Sequence, residues 1–140
     1  MSRIIAICGA KRSGKDILSK YIVSKYNYKK ISFAEPLKNA VKALFNFNDI
    51  QVGIDEENGN GYEKDMIDER WGISPRKALQ FFGTEVMQNT INELIPNTEK
   101  GFFADILLSR ISEENTNYVI SDLRFLHEYN KLKKSEKVKY

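Results

Sequence analysis

The sequence predicts a three-layer α/β/α fold on a mainly parallel sheet, and three observations predict it. Apolar strand-length runs alternate with amphipathic helical stretches. The first run stops at a glycine-bearing polar turn that leads straight into a helix. At 140 residues and 41% hydrophobic, the chain has the length and apolar content of one ordinary domain.

Ile4-Ile5-Ala6-Ile7-Cys8 is a continuous apolar run rich in β-branched residues, which predicts a central strand buried on both faces and ending at Gly9. After the turn, Ile17, Leu18, Tyr21 and Ile22 recur at helical spacing. A second strand is expected over 29–33. Beyond Glu35-Pro36, a helix carries Leu37, Ala40, Val41, Leu44 and Phe45 on one face.

Residues 49–69 change character. Asp49, Asp55, Glu56, Glu57, Glu63, Asp65, Asp68 and Glu69 face only Lys64, with glycines at 53, 59 and 61, which reads as a mobile acidic flap or loop. Ser74-Pro75 supplies a helix cap followed by proline at the first helical position, and Ala78, Leu79, Phe82 and Val86 continue the pattern. A helix over 103–111 leads to the strand Tyr118-Val119-Ile120, which stops at Ser121-Asp122, and another helix begins near Arg124. The lysine-rich end suggests the start of one more strand at Val138. In such a sheet the ligand belongs at the carboxyl ends of the strands.

Charge and cysteine usage narrow the function classes. Lys and Arg number 22 against 19 acidic residues, and a net charge of +3 is too small a basic excess for a general nucleic-acid binder. Cys8 is the single cysteine, which excludes an intramolecular disulfide and a multi-cysteine zinc site and fits a reducing, cytoplasmic setting. It reads as a small buried strand residue. No run of about 18 apolar residues is present, so neither a membrane span nor a signal peptide is expected.

Gly9-Ala10-Lys11-Arg12-Ser13-Gly14-Lys15-Asp16 carries the spacing of a phosphate-binding loop, with aspartate where serine or threonine is usual. A strand runs into it and a helix leaves it, so backbone N–H groups, Ile17 included, can converge on a phosphate. Lys15 is placed to reach the β- and γ-phosphates, and Lys11 and Arg12 add positive charge at the rim. The plainer alternative is a glycine-rich connection. Asp16 can help hold Mg²⁺ or simply complement the helix dipole. Asp122, at a strand end, can orient the metal or cap the next helix. Arg124 is a surface arginine unless the fold brings it to the phosphates. Arg76 sits in a first helical turn, where the positive dipole end disfavours a cation, so either an anionic partner or solvation of an exposed turn accounts for it. Trp71, Phe81 and Phe82 suit either a base-stacking wall or a core. His127 reads as an exposed helix residue.

Four segments in order, Gly9 to Asp16, Ser32-Phe33-Ala34-Glu35-Pro36-Leu37-Lys38, Ser74 to Glu85, and Ser121-Asp122-Leu123-Arg124-Phe125, resemble the phage and large-DNA-virus type of deoxynucleoside monophosphate kinase. The resemblance implies a P-loop NTPase fold in a single kinase domain, 1–140. It implies transfer of the γ-phosphoryl group of ATP to a deoxynucleoside monophosphate with Mg²⁺. On that resemblance Arg12, Gly14, Lys15 and Asp16 hold ATP, Lys11, Lys38 and Arg76 face the monophosphate, and Pro36, Leu37 and Gln80 shape its pocket. Asp122 serves the metal region and Arg124 the phosphates, while the acidic flap closes over the acceptor and excludes water. Its partners are small molecules, its place the host cytoplasm if viral, and kinases of this kind are often homodimers. They also continue past the Asp-Leu-Arg-Phe segment with an arginine-bearing lid and a further strand, so a shortened form lacking both is expected. Two alternatives stay open at this stage: a phosphomevalonate kinase, which shares such a loop, and a non-catalytic nucleotide-binding module.

Overall fold

The computed structural model describes residues 2–10, 12–55, 57–96, 101–111 and 115–135. Lys11 and the strand expected at Val138 lie outside the described residues. In chain order the elements are β1 (Ile4–Cys8), α1 (Lys15–Tyr26), β2 (Lys29–Ile31), α2 (Glu35–Phe45), α3 (Asp49–Val52), α4 (Pro75–Gln80), a π-helical stretch (Phe81–Thr90), α5 (Ile91–Leu94), α6 (Phe102–Arg110), β3 (Tyr118–Leu123) and α7 (Leu126–Lys134). They divide into two compact units, Met1–Phe33 with Gly101–Tyr140, and Ala34–Lys100.

The first unit is the expected α/β layering. Its three described strands are parallel in the order β1-β3-β2, with Val119 opposite both Ile5 and Lys30. Side chains alternate along β3. Tyr118 and Ile120 pack with Leu107 of α6 and Leu132 of α7, while Val119, also fully buried, belongs to the other face, where α1 lies against the sheet with Ser19 and Ile22 buried. Burying Leu107 alone contributes about 1.5–3 kcal/mol.

The structure corrects two expectations here, a central first strand and a buried Cys8. Among the described strands β3 is central and β1 lies at an edge, leaving Ile5, Ala6 and Cys8 exposed. An apolar run shows that a strand can be buried but not how many neighbours it will have. On α1 the apolar residues Ile17, Leu18 and Tyr21 are exposed, and the covered face is that of Ser19 and Ile22.

The second unit is helical. Val41, Phe47, Val52 and Ala78 form its core, with Leu37 and Phe82 packed against them. A Cβ on Gly83 would stand 2.9 Å from Leu37 Cδ2, so the bare backbone at this position lets α2 approach the π-helical stretch. Helical structure thus runs on past α4 as expected, but as a wider turn, a form that occurs mostly in short pieces. Residues 49–69 are not a featureless loop. Asn48 and Gln51 close a capping box around α3, and Asp68 bridges to Ile73. No helix among the described residues is long and apolar enough to cross a membrane.

Candidate functional site

The residues singled out from the sequence fall into two sets, one in each unit. In the first unit, β1 delivers the chain to the loop 9–14, where Ser13 N donates to Ala10 O at 3.2 Å. Arg12 and Gly14 both adopt left-handed backbone, with φ of 65° and 86°. Gly14 does so without steric cost. Arg12 does so as a non-glycine residue, the kind of local strain that clusters at ligand-binding turns. Gly14 then opens α1 with no side-chain cap. The first-turn amides of Lys15, Asp16 and Ile17 precede any intrahelical acceptor. Together with the helix dipole they make a site for an anion. Lys15 Nζ donates to Ala10 O at 3.0 Å, which folds its side chain back over the loop, and Arg12 is exposed.

Cys8 pairs with Leu123, so the loop and Asp122 share the carboxyl end of the sheet. Asp122 Oδ1 accepts from Phe33 N at 3.1 Å and ties the chain leaving β2 to β3. Glu128 caps the start of α7: its Oε2 accepts from Arg124 N at 2.9 Å and Phe125 N at 3.0 Å. The Arg124 residue is exposed, and the half-buried His127 stacks its ring on Phe125 with centroids 5.3 Å apart. Asp16 Oδ1 stands 3.8 Å from Lys30 Nζ, a loose pair between exposed side chains. No cluster of three or more His, Cys, Asp or Glu that could hold a metal exists among the described residues. Mg²⁺ in phosphoryl-transfer sites is bound through one or two carboxylates plus substrate phosphates and water. Asp16 and Asp122 are hard oxygen donors of that kind.

The second unit carries Pro36, Leu37, Lys38, Arg76 and Gln80. Pro36 lies in the first turn of α2, Leu37 packs on Gly83, and Gln80 is exposed on α4. Lys38 Nζ donates to Gly53 O at 2.8 Å, at the C-terminal end of α3, where a cation complements the last carbonyls. Ser74 caps α4 by accepting from Lys77 N at 3.2 Å, with Pro75 in the first turn, as expected. Arg76 N donates to Lys64 O at 2.8 Å, and its guanidinium grips the Asp65 carboxylate through Nε to Oδ1 and through Nη2 to Oδ2 at 3.1 Å. That bond raises the Arg76 pKa above its ordinary value. The chain itself therefore supplies the anionic partner that this cation needs in a first turn.

The acidic segment is internally bonded around this pair. Glu63 accepts from the backbone N of Asn60 at 2.8 Å and Gly61 at 3.0 Å, which lowers its pKa. Arg70 forks onto Asp68 at 2.9 and 2.8 Å and holds that carboxyl well below its usual range. Trp71 Nε1 donates to Phe45 O at 2.9 Å, and Trp71 and Phe82 both meet the Phe45 ring edge-on. Phe82 thus belongs to the core, while Phe81 and Trp71 stay about half exposed. Sequence reasoning missed Asp65 and Glu128. An uncompensated cation in a first turn close behind an acidic run was the available signal for Asp65.

Comparison with known proteins gives the family. The family model for deoxynucleotide monophosphate kinase matches residues 3–67, a span that holds the loop and Lys38. A protein of Acanthamoeba polyphaga mimivirus named "Putative deoxynucleotide monophosphate kinase" is 32% identical over 139 residues, covering 93% of this chain and 68% of that protein. No solved structure matches the chain significantly. A strand, loop and helix in sequence within a parallel sheet, the family match across them, and a relative aligned along nearly the whole chain lead to one conclusion: the chain belongs to the deoxynucleotide monophosphate kinase family.

Proposed function

We propose that the chain transfers the γ-phosphoryl group of ATP to the phosphate of a deoxynucleoside monophosphate, giving the diphosphate and ADP. The observation that carries this reading is the start of α1, which has no side-chain cap and follows a loop in which Arg12 and Gly14 are both left-handed, so that its first-turn amides are open to an anion. Family membership favours a nucleotide as the owner of that anion.

In this reading the amides of Gly14, Lys15, Asp16 and Ile17 hold ATP together with Gly9, Ala10, Lys11 and Ser13. Lys15 leaves Ala10 O to reach the phosphates, exchanging one acceptor for a charged one. Arg12 and Arg124, both exposed, offset charge that spreads over the equatorial oxygens as the phosphoryl group moves. Mg²⁺, when bound, supplies further neutralisation of the phosphates, and Asp16 and Asp122 would hold it. In the second set Arg76 and Lys38 serve the acceptor phosphate, beside Pro36, Leu37 and Gln80. A general base is not required, because the acceptor phosphate already carries a nucleophilic oxygen.

Coupled ADP-release assays with each deoxynucleoside monophosphate, with ribonucleotides and with phosphomevalonate test the proposal. Turnover confined to deoxynucleoside monophosphates is the expected result. Turnover with phosphomevalonate alone, or nucleotide binding with no turnover on any acceptor, would overturn it.

A further inference from the structure

We infer that Asp65 is a positioning residue for the acceptor phosphate, holding the Arg76 guanidinium by one edge so that its other edge is presented to the monophosphate. The inference rests on the proposed role of Arg76 and extends it to a residue in the acidic segment.

The geometry carries it. A guanidinium has five N–H donors in a fixed planar fork. Asp65 takes the side edge, Nε and Nη2, and Nη1 has no partner among the described residues. The edge formed by Nη1 and the second N–H of Nη2 is therefore the one left to receive a phosphate in paired fashion. Both side chains are reachable from solvent, at 37% exposed for Arg76 and 53% for Asp65. The contact is also well anchored on either side. Asp65 N donates to Tyr62 O at 2.9 Å within a turn that Glu63 locks, and Lys64 O accepts from Arg76 N at 2.8 Å. Asp65 and Arg76 are thus held together by backbone as well as by charge. An arginine side chain free in solution samples many rotamers, and fixing one before the ligand arrives removes part of the ordering cost of binding. The carboxylate also offsets the unfavourable placing of a cation in a helix first turn, so Arg76 can stay where the helix presents it.

The opposite role for the same contact is competition, in which Asp65 occupies Arg76 and the phosphate must displace it. The two roles predict opposite signs. Binding of each of the four common deoxynucleoside monophosphates is measured by calorimetry alongside steady-state kinetics for wild type, Asp65→Asn, Asp65→Ala, Arg76→Ala and the double variant. Positioning predicts that Asp65→Ala raises the acceptor KM and Kd about 5- to 20-fold with the ATP KM unchanged. Asp65→Asn, which keeps one oxygen for Nε, falls between, and Asp65→Ala adds nothing in the Arg76→Ala background. Tighter acceptor binding in Asp65→Ala overturns the inference, as does an additive double variant. Weaker binding in Arg76→Ala with none in either Asp65 variant overturns it while leaving the function intact. No change in any of the variants overturns the role of Arg76, on which the inference stands. Asp65→Asn is close to isosteric, so a folded protein is available even if Asp65→Ala unfolds.

Discussion

Two helix starts in this molecule treat charge in opposite ways. At α1 the chain withholds every side-chain cap and leaves a cation-bearing loop around open amides. At α4 Ser74 caps the helix and Asp65 neutralises Arg76, a cation that would otherwise oppose the dipole. Open amides beside Arg12 and Lys15 suit a large, multiply charged ligand whose own charge completes the site. A pre-paired arginine suits a single phosphate that must be met at one angle. The contrast fits the proposal that the first receives a triphosphate and the second a monophosphate.

The sharpest way to break the contrast is Lys15→Ala. Removing the charge nearest the open amides should cut kcat/KM by about 10²- to 10³-fold or more, as loss of one preorganised electrostatic donor does, and near-normal turnover in a steady-state assay would remove the loop from the chemistry. Arg76→Ala is expected to be milder and selective, raising the KM for the monophosphate by about 10-fold or more while sparing that for ATP. An effect confined to ATP would assign Arg76 to the other substrate.

Stability measurements sharpen the same comparison. Ser74→Ala removes a cap from α4 and should lower unfolding free energy by about 1 kcal/mol in urea titration, whereas no side chain at the start of α1 performs that service. The acid response of the second unit is smaller again. Because Arg70 holds the folded Asp68 pKa well below the ordinary 3.8, its contribution is complete above that value and is lost as pH falls below it. Melting temperatures of wild type and Asp68→Asn should therefore differ near neutrality and converge in acid. A gap that persists with falling pH would mean that the Arg70 bond is not its source.

Much of the first unit was legible because its signals are local. The glycine spacing of the loop and the apolar run after Asn117 each depend on residues within a few positions of one another, as does the cap at Ser74 in the second unit. What stayed hidden depended on partners distant in sequence. The run from Ile4 to Cys8 looks the same whether it is central or at an edge, and the pattern Ile17, Leu18, Tyr21, Ile22 names an apolar face without saying which side of the helix the sheet will cover. Asp122 reads from the sequence as a cap or a metal group, and its bond to Phe33, 89 positions away, lies beyond any local pattern. Asp65 could not be told from its acidic neighbours, since only the reversal of the chain between Asp68 and Ile73 brings it to Arg76.

Trp71, held by Phe45 O next to the Arg70–Asp68 fork, is the one tryptophan in the chain. The protein therefore contains its own optical reporter, in the unit assigned to the acceptor. Its emission can follow unfastening of that corner in acid without any label. A second channel, from tyrosine excitation, gives the rest of the chain as an internal reference.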